Sequence, residues 1–302
     1  MPPSPAPVSY PLGPPSYQGN TLTVDTALQQ PTRVTRRIAD LTLQRFIVSE
    51  IFANDGGVSG GAVVYDQALL NELYLARDVE RVNPGDEFPV VTSERQAPRV
   101  AEVEKWGGKF FITDEARDRN DVAAFNNQVT QLANTIVRKL NTRAIETLEA
   151  AIAELGGAGV ITGGNWASVI TAGASQSNAT AWPGADFAKA QLAADREELG
   201  VEYNLWLVNP VEKANFYITY GSDAAEVLAA NGVSMFPSNR VPQGTAYAVA
   251  RGQVGGIRIE KPLSTETWRE EKTQRNWVQS SVRPVMYVTN PYSIKKVVGL
   301  GG

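Results

Sequence analysis

The chain contains no cysteine and no histidine. Without cysteine there is no disulfide, no thiol nucleophile and no thiolate metal site. Without histidine, Ser-His-Asp arrangements, imidazole acid–base chemistry and the commonest zinc sites are excluded too. Positive charge is not in excess: 28 Lys and Arg stand against 32 Asp and Glu, a net charge of −4. A general nucleic-acid binder would be basic, so the balance argues against that class. No apolar run approaches the ~20 residues that a membrane span requires. The opening MPPSPAPVSYPLGPP has neither a basic n-region nor an apolar h-region. A secretory leader is therefore not expected, and synthesis and assembly in a cytosol are.

What is present begins with size. The 302 residues, 43% hydrophobic, have room for two domains or one large one. The most informative stretch runs from Thr113 to Leu155. In it Val122, Phe125, Val129, Leu132, Ile136, Leu140, Leu148 and Ile152 recur at three- and four-residue steps, with Ala144 between the last three. This spacing predicts one continuous amphipathic helix with a narrow apolar stripe, roughly 60 Å long. Thr113 is the expected N-cap, and Asp114 and Glu115 oppose the positive end of the helix dipole. Gly156-Gly157 ends it.

The rest of the chain reads in order. Seven prolines among the first fifteen residues favour an extended arm through about residue 35. Arg33, Arg36 and Arg37 close it, as a basic patch for phosphate or a neighbour's acidic surface, or as a solvated turn. Asp40–Phe52 is a short helix candidate. Residues 62–112 read as a long β-hairpin, with strands and a Pro84-Gly85 turn in Val79–Thr92 and alternation through Val100–Ile112. A hairpin this thin cannot bury its own apolar side chains, so it needs a surface elsewhere. After Gly157 come Gly- and Ser-rich loops with strands, a helix over Asp186–Leu199 and a buried strand over Tyr203–Val208. Next are a helix opening at Asn209-Pro210 and another over Ser222–Asn231 capped by Ser222. Strands follow over 246–251, 256–261, 265–288 and 292–300.

The chemistry tests come out negative. Gly57-Val58-Ser59-Gly60-Gly61 fits G-x-S-x-G, but no histidine can serve it, and a glycine linker explains it. No phosphate loop occurs, and Gly157-Ala158-Gly159 lacks the third glycine of a dinucleotide fingerprint. Asp114, Glu115, Asp118 and Asp121 are explained by dipole compensation more simply than by a divalent cation. No catalytic, metal or cofactor residue is expected.

The order of these parts resembles the major capsid proteins of tailed bacteriophages, which share the Johnson fold. The resemblance rests on PGDEFPVV at Pro84–Val91, VEKWGGKFFITDEARDRN at Val103–Asn120, the long helix, NLWLVNPVEKANF at Asn204–Phe216 and VPQGTAYAVARGQVGG at Val241–Gly256. These segments look most like actinobacteriophage capsid proteins. An α+β fold class is implied, divided into an N-arm (1–55), an E-loop and its base (56–112), a P-domain spine helix (113–156), an A-domain with a central sheet flanked by helices (157–253), P-domain strands (254–283) and a C-terminal return strand (284–302). The stripe of the spine helix would pack on strands of about 254–283. The implied function is structural: pentamers and hexamers closing an icosahedral shell around double-stranded DNA, within a virion assembled in the host cytoplasm. Implied partners are further copies of the chain, portal and scaffolding proteins, and a decoration protein; no membrane is involved. Expected intersubunit contacts are Arg33, Arg36, Arg37, Phe88, Pro89, Arg95, Trp106 and Phe110. The first lysine is Lys105, so the hairpin tip has none and no isopeptide cross-link is expected. An encapsulin-type nanocompartment is the alternative, and a soluble α/β ligand-binding protein or enzyme the second.

Overall fold

The computed structural model describes residues 24–43, 46–68, 81–85, 87, 88, 90, 97–171 and 173–301. Helices α1 (Val24–Gln29) and α2 (Pro31–Leu43) come first, followed by the single turn α3 (Val48–Ile51). The arm expected to be extended through residue 35 is thus helical from Val24 onward. Val24, Ala27, Leu28, Val34 and Ile38 are spaced for one helical face, and all are buried. The prolines that suggested an extended arm lie in residues 1–15, outside the described residues. The helix expected over Asp40–Phe52 is also replaced. Helix α2 ends at Leu43, and the Ile47 N–H donates to Asn141 Oδ1 on a distant helix at 3.1 Å. That tertiary hydrogen bond takes a donor that a continuing helix would have used.

Strand β1 (Ala53–Gly57) is followed by β2 (Ala62–Tyr65) and β3 (Arg99–Glu102), which pair antiparallel, and then by β4 (Trp106–Thr113). The expected unbroken helix from Thr113 is two helices. Thr113 caps α4 (Asp114–Asp118), accepting from the Ala116 N–H. The chain then turns at Asn120, whose φ is 53°. Asparagine tolerates this left-handed conformation, and its Oδ1 accepts the Val24 N–H at 3.0 Å. Asp121 caps the second helix, α5 (Val122–Leu155), through the Ala124 N–H. With 34 residues, α5 is about 51 Å long at ~1.5 Å per residue.

Beyond it lie β5 (Val160–Thr162), α6 (Pro183–Glu197), β6 (Leu205–Val208), α7 (Pro210–Tyr220), α8 (Ala224–Ala230), β7 (Ser234–Pro237), β8 (Thr245–Val249), β9 (Gly255–Glu270), β10 (Arg275–Val288) and β11 (Ile294–Val298). Asn209 caps α7 by accepting the Val211 N–H, with Pro210 in the first turn. Ser222 does not cap α8. It sits in a 3-10 turn, and its hydroxyl donates to Asp223 Oδ1. The strand expected to end near Lys261 continues through Pro262 to Glu270, because β10 pairs with it on both sides of an irregularity around Pro262.

Two main sheets result. The four-stranded one has the order β1-β9-β10-β4, and the five-stranded one β5-β11-β8-β6-β7. Helices α1, α2 and α5 cover one face of the four-stranded sheet, burying Phe125, Val129 and Ala133 against Ile112 and Val278. The C-terminal half of α5 belongs to a different cluster. Ala144, Ile145, Leu148, Ala151 and Ile152 pack with Leu205, Leu207, Tyr247, Val249 and Ile294 of the five-stranded sheet, and with Ile257 and Val288 where β9 and β10 begin and end. The expectation that one stripe packs only on strands 254–283 is corrected accordingly: α5 joins both sheets. A second tie reinforces this junction, where Tyr247 donates its hydroxyl to Glu149 on α5 and Lys296 reaches the same carboxylate at 2.7 and 2.9 Å.

Candidate assembly surfaces

Among the described residues, three surfaces group exposed apolar side chains. The first is the pair β2–β3. Val63 and Ala101 are opposite one another and face inward to Val285 and Tyr287. Their strand neighbours Val64 and Val100, also opposite one another, point outward and are 66% and 62% exposed. A two-stranded ribbon cannot cover both of its faces, so this pair is left bare. Farther along the hairpin Phe88 and Val90 are 79% and 77% exposed.

The hairpin is fixed at its base by charge. Arg143 on α5 grips Glu104 with Nε at 2.8 Å and Nη2 at 2.7 Å, and Trp106 Nε1 donates to the same carboxylate at 3.0 Å. Arg99 reaches Glu154 at 2.6 Å. The fork of Arg143 matches a carboxylate geometrically, which orients the ribbon relative to α5. Two glycines set the approach of β4. A Cβ at Gly107 would lie 2.5 Å from Ser280 O, and one at Gly108 would lie 2.8 Å from Leu132 Cδ1. At Gly107 the clash is with backbone, so only glycine lets β4 lie this close to β10; at Gly108 it is with the end of a leucine side chain that can shift.

The second surface is the uncovered face of the four-stranded sheet. Strand register sets Trp268 opposite Trp277 and Trp277 opposite Phe111. The two indoles stack with centroids 6.3 Å apart and Phe111 meets Trp277 edge-on at 5.3 Å. Arg275 lies over Phe111 at 4.3 Å and Lys109 over Trp277 at 4.5 Å. Trp277 Nε1 donates to Glu270 at 2.9 Å. That bond, with one from Thr273, holds the Glu270 carboxyl below its ordinary pKa. Trp268 and Phe111 remain 41% and 37% exposed. The third surface is the outer side of α7, where Val211, Tyr217 and Ile218 are exposed.

The residues singled out in the sequence fall in different places. Arg33 and Arg36 are half-buried and Arg37 exposed on α2. Phe88 is exposed, whereas Pro89 and Arg95 lie outside the described residues. Trp106 and Phe110 do not face outward. Phe110 meets Phe125 edge-on at 6.1 Å, and Trp106 packs on Ile136, Leu140 and Val282. Along α5, Phe125, Val129, Ile136, Leu140, Leu148 and Ile152 are buried, while Val122 and Leu132 are partly so. Trp268, Trp277 and Phe111 are not among the expected contacts. The signal was the alternation itself, because in Phe110-Phe111 only one ring can face α5.

Asp114 illustrates the acidic cluster. Hydrogen bonds from Arg269, at 2.6 Å, and then Asn276 hold its carboxyl below the ordinary value of 3.8, against some desolvation. Its ionised form is therefore favoured by folding. This contribution is complete above the unfolded pKa and is lost as pH falls through the lower folded one. An NMR titration should place Asp114 below 3.8, and Arg269→Gln should bring it back up. A value unmoved by that substitution would contradict the geometry.

A family model described as phage capsid protein matches residues 96–297. No curated protein matches the chain. Among solved structures, the capsid of cyanophage P-SCSP1u is similar over 85% of this chain and 89% of its own, with a TM-score of 0.60 and 14% identity. A structure from Mycobacterium phage Bobi covers 87% and 91%, with a TM-score of 0.59 and 12% identity. A virus-like particle from Pyrococcus furiosus covers 88% and 98%, with a TM-score of 0.57 and 12% identity. At such identities the structural likeness speaks for the fold, while the family match spans about two thirds of the chain. The chain belongs to the phage capsid protein family and is a structural capsid protein with the fold of tailed-phage major capsid proteins.

Proposed function

We propose that copies of this chain form pentamers and hexamers that close an icosahedral shell around double-stranded DNA. The observation that carries the reading is the hairpin, whose Val64, Val100, Phe88 and Val90 are exposed in the single chain. Among the described residues nothing covers this ribbon, and a neighbouring molecule would supply the missing contacts. In this reading the E-loop of 56–112 crosses a neighbouring subunit and the N-arm of 1–55 reaches farther round. The P-domain combines 113–156 with 254–283, and the A-domain of 157–253, closed by the return strand of 284–302, lies toward the capsomer centre. The role is non-enzymatic, consistent with a chain lacking histidine and cysteine. Portal and scaffolding proteins are partners in assembly in the host cytoplasm, and the product is the virion.

Electron microscopy of particles isolated with this protein tests the proposal. Closed shells containing double-stranded DNA are expected, with a single subunit band and no ladder on a denaturing gel. A protein that stays monomeric under all assembly conditions would defeat the reading. Similarity to the Pyrococcus furiosus virus-like particle across 98% of that chain supports a second reading, a nanocompartment shell. Shells filled with protein cargo and free of DNA would favour it.

A further inference from the structure

We propose that a cationic cleft between α5 and the start of α7 is a phosphate-binding site, held by Arg138, Lys213 and Arg240. The shell-forming reading bears on it only through the source of the phosphate, the backbone of the enclosed DNA. The cleft measures about 750 Å³, within the roughly 300–1,000 Å³ typical of ligand sites. Three segments meet in it. Asn134, Val137, Arg138 and Asn141 follow one another at three- and four-residue steps and so share one face of α5. Lys213 comes from the first turn of α7, and Arg240 from the turn after β7. That turn is fixed in place. Asn209 Nδ2 donates to the Val241 carbonyl at 2.8 Å, and the Arg240 N–H donates to Ser238 Oγ at 3.1 Å.

The chain carries an excess of acid, and many of its cations are neutralised locally. Arg99, Arg143, Arg251, Arg269, Arg283 and Lys296 each hold a carboxylate. Around the cleft this pattern stops. No carboxylate lines it. Among the described residues none lies within ion-pair distance of Arg138, Lys213 or Arg240. Glu212, next to Lys213 in sequence, is fully buried and accepts the Gly244 N–H at 2.7 Å. Three like charges without a counter-charge repel one another, and an anion relieves that repulsion. Two guanidinium forks and an ammonium suit the several acceptor oxygens of a phosphate. A peptide would need apolar contacts as well. The apolar lining residues Val137 and Phe236 are taken up by the protein's own core: Val137 is 8% exposed, and Phe236 packs on the cluster of Leu205 and Tyr247. What remains for a ligand is charge and hydrogen bonding.

The test uses full-length unassembled subunits and a short labelled DNA duplex, read by fluorescence anisotropy. Arg138→Gln, Lys213→Gln and Arg240→Gln together should weaken binding at least tenfold. They should also make the slope of log K against log salt shallower by about 2–3. The same change of charge at the exposed Arg119, Arg196 and Lys272 should alter affinity less than about threefold. Circular dichroism and thermal unfolding check that the variants fold. Arg240→Gln alone, on an exposed turn, repeats the test with a smaller loss should the triple variant misfold. Inorganic phosphate separates the two sources. At matched ionic strength it should displace the duplex from the wild type more effectively than chloride does. Phosphate that raises the unfolding temperature of the wild type but not of the triple variant, without duplex binding, would support the site with free phosphate as its ligand. Equal losses from the two triple variants, no response to either probe, or tighter binding of poly-glutamate than of duplex would overturn the proposal. None of these measurements needs shells. A wild-type chain that never closes around DNA fails the function reading, and the binding assay still decides this one.

Discussion

Leu148→Ala is expected to destabilise the subunit by about 2–5 kcal/mol, and Leu148→Asp to prevent folding. Leu148 is fully buried in the cluster where α5, α3 and the five-stranded sheet meet the ends of β9 and β10. Residues of α3, β6, β8, β9, β10 and β11 share that cluster, so they cannot all collapse into the space left by a truncated side chain. The cost should therefore fall toward the upper part of the range. Leu132→Ala should cost clearly less, because Leu132 is only partly buried at the edge of its clusters. Leu148→Met, which conserves volume, should cost under about 1.5 kcal/mol. Denaturant unfolding of purified subunits measures all three. Equal losses at Leu148 and Leu132 would show that the junction is not where the structure concentrates its packing. Particle yield should follow the same order, since Leu148 also couples the two sheets that a capsid subunit must hold in fixed relation.

The second large effect is expected at Lys295. Its side chain is fully buried, donates to the Ala158 carbonyl at 2.9 Å and pairs with Glu197. Glu197 Oε2 is itself buried and finds no other protein partner among the described residues. Lys295→Met keeps the length and removes the charge, leaving a buried carboxylate uncompensated; breaking such a pair typically costs about 3–5 kcal/mol. Glu197→Gln in the same chain should recover much of the loss, because a neutral amide no longer requires a cation. A double-mutant cycle isolates this coupling. Additive losses from the two substitutions would mean that the ion pair contributes nothing specific. The lysine ties β11 to the end of α6 and to the segment after α5, three parts of the chain far apart in sequence.

Much of the fold was legible in the sequence. The periodicity of 122–155 marked α5 and its C-terminal glycines, and Asn209-Pro210 marked the start of α7, whereas the cap expected of Thr113 on the long helix belongs to Asp121. Alternation marked β4, β9 and β10; of the expected hairpin, the pair β2–β3 forms, while the described residues of Val79–Thr92 hold the Pro84-Gly85 turn but no strand. The errors have identifiable physical causes. The helix break at Asn120 arises because its side chain accepts the Val24 N–H, a partner 96 residues away. The end of the α2–α3 region is set by Asn141, 94 residues from Ile47. Single polar side chains acting over such separations leave no periodic trace. The outward aromatic row left no trace in the pattern for a related reason. Trp106 and Phe110 look like any other exposed aromatic in a hairpin, and only the register of β4 against β10 turns Phe110 inward and Phe111 outward.

The sequence by itself determined the chemical class. A chain without histidine or cysteine excludes imidazole and thiol chemistry, and a long amphipathic helix after an uncovered hairpin points to assembly. Local patterning carries that information because helix and strand periods are written in neighbouring residues. Tertiary structure alone decided which faces are used. It gave α5 two clients instead of one, with its first half on the four-stranded sheet and its second half on the five-stranded one. It also aligned Trp268, Trp277 and Phe111 into one exposed row. Both outcomes depend on strand register and helix rotation, which are fixed by contacts between residues far apart in the chain.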